Sequence, residues 1–312
     1  MSKNHVQFQA GMSLMSFLDQ YGSEASCREA LAKARWPKGF VCPQCGHTGH
    51  CQLARRGIYQ CNRCKHQVSL TSGTVFAGTH VPLRVWFLAM YLITQHKTGI
   101  SALSLRRELG VSYNTAWLMK HKLMQAMVER DAEQTLGDNV QMDDAYWGGA
   151  RHGGKRGRGS PGKAPFVAAV ACNEAGHPIA MRMDTVSGFR KTALADWAKH
   201  HLAPGTKVVS DGLRCFSSVT QAACTHLPTI TGGGPPDETD RTFWWINTML
   251  GNVKKAMHGT YHALRPKYLQ RYLSEFCYRF NRRFDLAALV PRLLVAAART
   301  PPLSYRLATL DA

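Results

Sequence analysis

Apolar positions recur at helical spacing over residues 12–35: Leu14, Phe17, Leu18 and Tyr21, then Ala30, Leu31 and Ala34, with Pro37 ending that leader. A Cys- and Gly-rich, strand-like stretch follows to about Thr71. Helical periodicity returns from Leu83 to Arg130, broken at Gly99 and Gly110. After Gly137 the pattern becomes that of strands. Val140 to Asp143 predicts one strand, and Phe166 to Cys172 with Pro178 to Asp184 predict a hairpin turning at residues 173–177. Lys191 to His201 reads as a helix, Lys207 to Ser210 as a short strand stopping at Asp211-Gly212, and Leu227 to Ile230 as a weaker strand. Gly232 to Pro236 reads as a flexible connector before a long helix starting near Asp240 or Arg241. A further helix follows Pro266 through Tyr268, Leu269, Tyr272, Leu273 and Phe276, and no internal repeat is present.

Three strands, a helix, a strand and further helices form the element order of an RNase H-like domain, an order other α/β proteins share. Composition narrows the partner. Hydrophobic residues make up 45% of the 312, enough for a packed core, and the formal net charge is +19. Such an excess of Lys and Arg points to a polyanion, because cations that neutralise phosphates release condensed counterions. Met1 to Leu18 has no long apolar core, and the most apolar stretch, Val85 to Ile93, is about half a bilayer span. A soluble, cytoplasmic protein with no membrane partner is expected, whose ten cysteines serve as thiols and metal ligands before disulfides.

Four of those cysteines are spaced as ligands. Cys42, Cys45, Cys61 and Cys64 form C-x2-C-x15-C-x2-C, two knuckles that each point two thiolates at one ion. Four protein ligands leave no open position, so one structural Zn2+ is expected, with His47, His50, Cys51 and His66 as bystanders. Further on, Ile100 to Leu109 forms a short amphipathic helix that Ser101 can cap. Gly110-Val111-Ser112 turns the chain, and Ser112 can cap a second helix reaching Leu123. A helix-turn-helix presents the start of its second helix to base edges, which makes Tyr113, Asn114, Thr115 and Lys120 the candidates. Trp117, Leu118 and Leu123 read as core, and a plain helical hairpin is the competing interpretation.

Asp143 and Asp144 stand at the end of one predicted strand and Asp211 directly follows another. In an RNase H-like sheet these strands are neighbours, and carboxylates so gathered repel unless cations lie between them. A pair of Mg2+ or Mn2+ ions there suits in-line displacement at phosphorus. Asn247 and Lys254 are seven apart, two turns of one helix face, so an oxygen ligand and a phosphate-binding ammonium share a groove. Residues 151–163 form a basic loop in which Lys155, Arg156 and Arg158 are suited to track a phosphate backbone. Arg279, Arg282 and Arg283 predict a basic helical stripe, Trp244 and Trp245 read as core, and Tyr261 and His262 suit either packing or the scissile region.

Asp143-Asp-Ala-Tyr-Trp-Gly-Gly149, Ser210-Asp-Gly212, Asn247-x6-Lys254, Gly259-Thr-Tyr-His262 and the run Arg271 to Arg283 resemble the bacterial insertion-sequence transposases that carry an N-terminal zinc ribbon. The resemblance spans roughly residues 15 to 290. It is to the branch with Asn where the commoner triad of Asp, Asp and Glu has Glu. It implies Asp143 and Asp211 as metal ligands, Asn247 as the third site residue and Lys254 on phosphate. It also implies terminal inverted repeats and target DNA as partners, strand cleavage by water, and attack of the freed 3′-hydroxyl on target DNA. An amide oxygen is a weaker ligand than a carboxylate, and Asp144, Asp237, Glu238 and Asp240 are the nearby acids able to compensate.

The expected organisation is a multidomain α+β chain: a helical leader at 1–36, zinc ribbon at 37–71, helix-turn-helix at 80–130, an RNase H-like catalytic domain of mixed sheet and flanking helices at 138–290, and a tail at 291–312. A homo-oligomer on DNA, nucleoid-associated when bound, goes with that reading. A structure-specific nuclease on the same fold, and a zinc-ribbon regulator with an inert RNase H-like domain, are the alternatives.

Overall fold

The leader forms two helices, α1 (Leu14–Tyr21) and α2 (Glu24–Arg35). The break falls where a side chain at Gly22 would collide with the Leu18 carbonyl, and Ser23 then caps α2 by accepting from the Ser26 amide at 3.0 Å. The computed structural model describes residues 5–6, 9–53, 57–148, 163–230, 242–262 and 264–310. Lys155, Arg156 and Arg158, the connector at 232–236, and Asp237, Glu238 and Asp240 lie outside them. The chain divides into two units, residues 1–130 with 282–311, and residues 131–281.

In the first unit, strands β1 (His50–Leu53), β2 (Ile58–Cys61) and β3 (Gln67–Ser69) form an antiparallel meander. Phe40, Val68 and two of the cysteines make its small core, with Trp36 and Tyr59 packed against them. The Arg35 guanidinium ties α2 to this module through the Ser69 and Leu70 carbonyls, at 2.8 and 2.6 Å. Helix α3 (Leu83–Gln95) begins at Pro82, which has no capping side chain, so the Glu24 carboxylate accepts from the Leu83 and Arg84 amides instead. Then come α4 (Ala102–Leu109) and α5 (Tyr113–Asp131). Between them Gly110 takes φ +66, the left-handed turn that a side chain disfavours.

The C-terminal residues expected to form a tail are instead built into this unit. Helix α9 (Leu289–Arg299) buries Leu289, Val290, Leu293, Leu294 and Ala297 and packs on α2 and α3. A short α10 (Tyr305–Thr309) follows, with Tyr305 against Trp117. The apolar period of residues 289–298 is the signal that names this helix.

The second unit is a five-stranded mixed sheet in the order β6-β5-β4-β7-β8. Strands β4 (Asn139–Trp147), β5 (Ala164–Cys172) and β6 (Pro178–Thr185) are antiparallel. Strands β7 (Lys207–Ser210) and β8 (Thr225–Pro228) add in parallel beside β4. This is the RNase H-like arrangement, a mixed sheet with helices on both faces. Helix α6 (Lys191–His201) and a 3-10 helix at Arg214–Ala222 cover one face, enclosing Val140, Met142, Val167, Ala169 and Val208. Helix α7 (Trp244–Tyr261) contacts β4 and β5, and α8 (Leu269–Asn281) packs along β6. The edge of β6 is closed by side chains of α8. Asn281 exchanges two hydrogen bonds with the Met181 backbone at 2.7 and 3.0 Å, and Gln270 accepts from the Thr185 amide at 2.7 Å.

Several boundaries differ from the pattern-based expectation, most by one or two residues; the ones that bear on the site are these. Strand β4 continues through Asp143 to Trp147, β8 starts at Thr225, and α7 starts at Trp244. No helix among the described residues is long and apolar enough to cross a membrane.

Candidate active site, metal sites and DNA-binding elements

The aspartates are gathered by a mismatch in strand length. Pairing of β4 with β7 ends at Met142 and Ser210, while β4 runs on beside β5, with Asp143 opposite Ala168 and Asp144 opposite Val167. Asp143 and Asp211 therefore each follow the last paired position of two parallel neighbours. A carboxylate oxygen from each of Asp143, Asp144 and Asp211 lies within 4.8 Å of the others. The Asp143 oxygen accepts from the Asp144 amide at 2.8 Å, and Asp211 accepts from the Leu213 amide at 3.0 Å across a turn at Gly212 (φ +80).

Burial, reinforced by Asp144 and then Asp211, raises the Asp143 carboxyl to about 6. The Asp144 amide and Lys254 pull the other way. Lys254 is thus within electrostatic reach of Asp143. Half-buried oxygens whose charge is this costly suit a divalent cation, which needs hard oxygen donors and offsets their repulsion. The donor set fits Mg2+.

Two contacts align α7 with β4. The Gln141 side-chain carbonyl accepts from the Trp245 and Ile246 amides at 3.1 and 3.0 Å. Farther along, the Trp147 ring stacks on His258 at 4.5 Å. These contacts set the first turn of α7 beside Gln141 and its fourth turn beside Trp147, with Lys254 within electrostatic reach of Asp143. Asn247, Gly251, Lys254 and His258 flank the buried stripe of α7 (Ile246, Leu250, Val253, Met257). A side chain at Gly251 would meet nothing within 4 Å.

The aromatic and basic residues after the aspartates have mostly packing roles. The Tyr261 hydroxyl donates to the buried Glu275 and its ring packs on Tyr272, a core role. Arg279 pairs with the same Glu275 at 3.8 Å. Helix α8 ends at Asn281, so Arg282 and Arg283 do not continue a helical stripe with Arg279. Burial lowers Arg283 to about 10, and its guanidinium lies 4.2 Å from the Phe284 ring centroid. Trp245 donates to the Gly176 carbonyl, but Trp244 is 55% exposed and is not core. Gln141 has no signature in the sequence, because a lone Gln in a strand carries no pattern that points to a distant helix end.

In the ribbon, the four Sγ atoms lie within 4.8 Å of one another. Cys42 to Cys64 and Cys45 to Cys61 are both 3.6 Å apart. A tetrahedral Zn–S distance near 2.3 Å requires sulfurs about 3.8 Å apart, so the thiols fit one zinc. Each knuckle closes alike: the Gly46 amide donates to Cys42 O, the Lys65 amide to Cys61 O, and both residues adopt positive φ, +71 and +59. Gly46 takes that conformation freely and Lys65 does not. Lys65→Gly is expected to stabilise the ribbon by about 1 kcal/mol. A zinc-chelator competition titration checks this, and unchanged zinc retention would count against it.

At the helix-turn-helix the Ser101 and Ser112 hydroxyls accept from the Ser104 and Thr115 amides at 3.0 and 3.1 Å, capping α4 and α5 as expected. Tyr113 (49% exposed) and Asn114 are exposed at the start of α5, and Thr115 is half-buried. Lys120 corrects the sequence reading. It is fully buried, and its ammonium donates to the Ile100 carbonyl at 2.7 Å. Lys122 does the same for Val75 at 2.9 Å. The buried Met119 lies five positions beyond Asn114, on the opposite side of the helix, and Lys120 follows it onto the core side of α5.

Residues 22–67 match the family described as Transposase zinc-ribbon domain, and residues 135–281 the family described as ISXO2-like transposase domain. A Halobacterium salinarum protein described as "Uncharacterized protein in transposable element ISH50" is 29% identical over 218 residues, 64% of this chain and 71% of its own length. The two matches fall in order on the ribbon and on the sheet that gathers the aspartates, and together they cover most of the chain. The chain belongs to the insertion-sequence transposases that carry an N-terminal zinc ribbon.

Proposed function

We propose that this transposase binds the terminal inverted repeats of its element and catalyses metal-dependent strand cleavage and strand transfer. The cluster of Asp143, Asp144 and Asp211 carries the reading, because three carboxylates gathered at a strand end on a strongly basic chain suit cations bound beside DNA phosphates. Bound Mg2+ or Mn2+ supplies activation of the attacking oxygen and stabilisation of the leaving one. Asp143 and Asp211 are the ligands we assign, with Asn247 offering a third oxygen from α7. Lys254 holds the reacting phosphate by charge. Asp144 is the acid that offsets the weaker amide ligand. Lys155, Arg156 and Arg158 retain their proposed role on the DNA backbone, and the protein acts as a homo-oligomer with both element ends.

The test is an assay with duplexes ending in the element's own repeats plus target DNA. Mg2+-dependent nicking that exposes a 3′-hydroxyl, followed by joining to target, is expected. Nicking without joining would leave a nuclease, and repeat binding without either would leave a regulator. Asn247→Ala should raise the Mg2+ needed for half-maximal cleavage roughly tenfold, with partial recovery in Mn2+. An unchanged metal requirement removes Asn247 from the site.

Tyr113, Asn114 and Thr115 are the residues we assign to base edges in the repeat. Asn114→Ala should lose about 1–3 kcal/mol of preference for the repeat over random DNA. Lys120→Ala should instead lower the melting temperature of the N-terminal unit, since it strands a buried carbonyl. Competition binding against random duplex separates the two. Equal loss on both DNAs in Asn114→Ala would overturn the recognition-helix assignment.

A further inference from the structure

We propose that Gln141 is a positioning residue for this site: a cap reaching from β4 that fixes the first turn of α7 and so sets where Asn247 stands relative to Asp143. The inference rests on the reading of Asn247 as a metal-site residue. Helix α7 has Phe243 at its N-cap, a residue with no side-chain acceptor, and no cap hydrogen bond of its own. The second and third helical amides, which a Ser or Asp at the N-cap would ordinarily satisfy, are those of Trp245 and Ile246. Both donate to one atom, the Gln141 side-chain oxygen, at 3.1 and 3.0 Å.

That atom sits at a junction. Along the strand, Gln141 precedes Asp143 by two residues and therefore shares its face of the sheet. Along the helix, Ile246 directly precedes Asn247, whose own amide opens the helical ladder by donating to Phe243 O at 3.1 Å. One side chain thus links the backbone that carries Asp143 to the turn that carries Asn247. The Trp147 ring on His258 holds α7 near its far end, and the Trp245 indole on Gly176 O tethers the side chain of its first turn, so loss of Gln141 should loosen the first-turn amides and leave the helix in place. A glutamine suits the position because its carbonyl accepts both amides without adding a fourth charge to the cluster of Asp143, Asp144 and Asp211.

The experiment uses the full chain and manganese(II) alone as the probe. Binding is read by electron paramagnetic resonance without DNA, and amide hydrogen exchange is followed over residues 244–248. Gln141→Met matches the length of the side chain and lacks an acceptor. It should lose protection at Trp245 and Ile246 and weaken manganese binding about fivefold, the equivalent of one lost cap. Gln141→Asn, too short to reach, should do the same and serves if the first variant folds poorly. Gln141→Glu keeps an acceptor and should keep the protection. The decisive comparison is the double variant: Gln141→Met should add no further loss of manganese affinity to Asn247→Ala, since no ligand is left to position. Wild-type affinity in Gln141→Met, or a fully additive double variant, overturns the proposal while the site reading stands. If Asn247→Ala alone leaves affinity unchanged, the reading of Asn247 fails and the proposal falls with it.

Discussion

Asp143→Asn is expected to abolish strand cleavage and joining while making the metal-free protein more stable. Both effects come from one carboxylate. Its activity role is the ligand charge we assign it, and losing several kcal/mol of metal-assisted stabilisation lowers the rate by about a thousandfold or more. Its stability role is the opposite. Burial, with Asp144 and Asp211 nearby, raises its pKa to about 6 from an ordinary 3.8, so the unfolded chain ionises this group more readily than the folded one. The favourable contribution is fully present below pH 3.8 and is lost as pH rises through about 6, so at neutral pH Asp143 costs the fold on the order of 2–3 kcal/mol. Asparagine removes the charge yet keeps an oxygen for the Asp144 amide. Denaturant unfolding in chelator at pH 4.5 and pH 8 should show the wild type weakening with pH and the variant weakening less. Asp211→Asn should be equally inactive. Retained cleavage in either variant would end the assignment, and a wild-type stability that does not fall with pH would end the electrostatic account.

Much of this site could be read before the fold was known, and the gaps have physical causes. Asp143, Asp211 and Lys254 stand out because chemistry demands charged residues at strand ends and on one helix face. Their convergence depends on β7 stopping at Ser210 while β4 continues to Trp147, a fact about pairing that no single strand carries in its own period. The serine caps at Ser101 and Ser112 were legible because an N-cap lies next to the helix it serves. Glu24 and Gln141 cap α3 and α7 from other elements, and such remote caps leave no local pattern. Lys120 misled for a related reason. Lys120-His121-Lys122 is polar in composition, yet all three are buried, with the two ammonium groups spent on carbonyls of preceding loops. Helix α9 carries its signal locally, in the helical spacing of Leu289, Val290, Leu293, Leu294 and Ala297, so its place near the end of the chain does not make it a tail.

Removing zinc, or replacing Cys61 with Ser, should unfold residues 37–70 and leave residues 131–281 folded. Apart from its cysteines, the ribbon core consists of Phe40 and Val68, with Trp36 and Tyr59 packed against them. A module of fewer than about 40 residues with so few apolar side chains does not bury enough surface to offset its chain entropy. Zinc bound by four thiolates contributes on the order of 10 kcal/mol, so the folding of the module is in effect metal binding. Cys61 is the most telling position, being fully buried at the end of β2 and placed 3.6 Å from Cys45 across the site. A serine there offers a harder, weaker donor and breaks the tetrahedron from inside. The sheet that carries the aspartates belongs to a separate unit with its own core of Val140, Met142, Leu194, Trp197 and Phe216, which includes no ribbon residue. Hydrogen exchange after chelation should therefore show full loss of protection across β1, β2 and β3 and none across β4, β5 and β6. A Cys61→Ser protein that still carries one zinc per chain would mean that His47, His50, Cys51 or His66 can take the vacant place. The Cys51→Ala, Cys61→Ser double variant would then tell the exposed thiol on β1 from the imidazoles, since zinc lost only in the double variant names Cys51 as the substitute ligand.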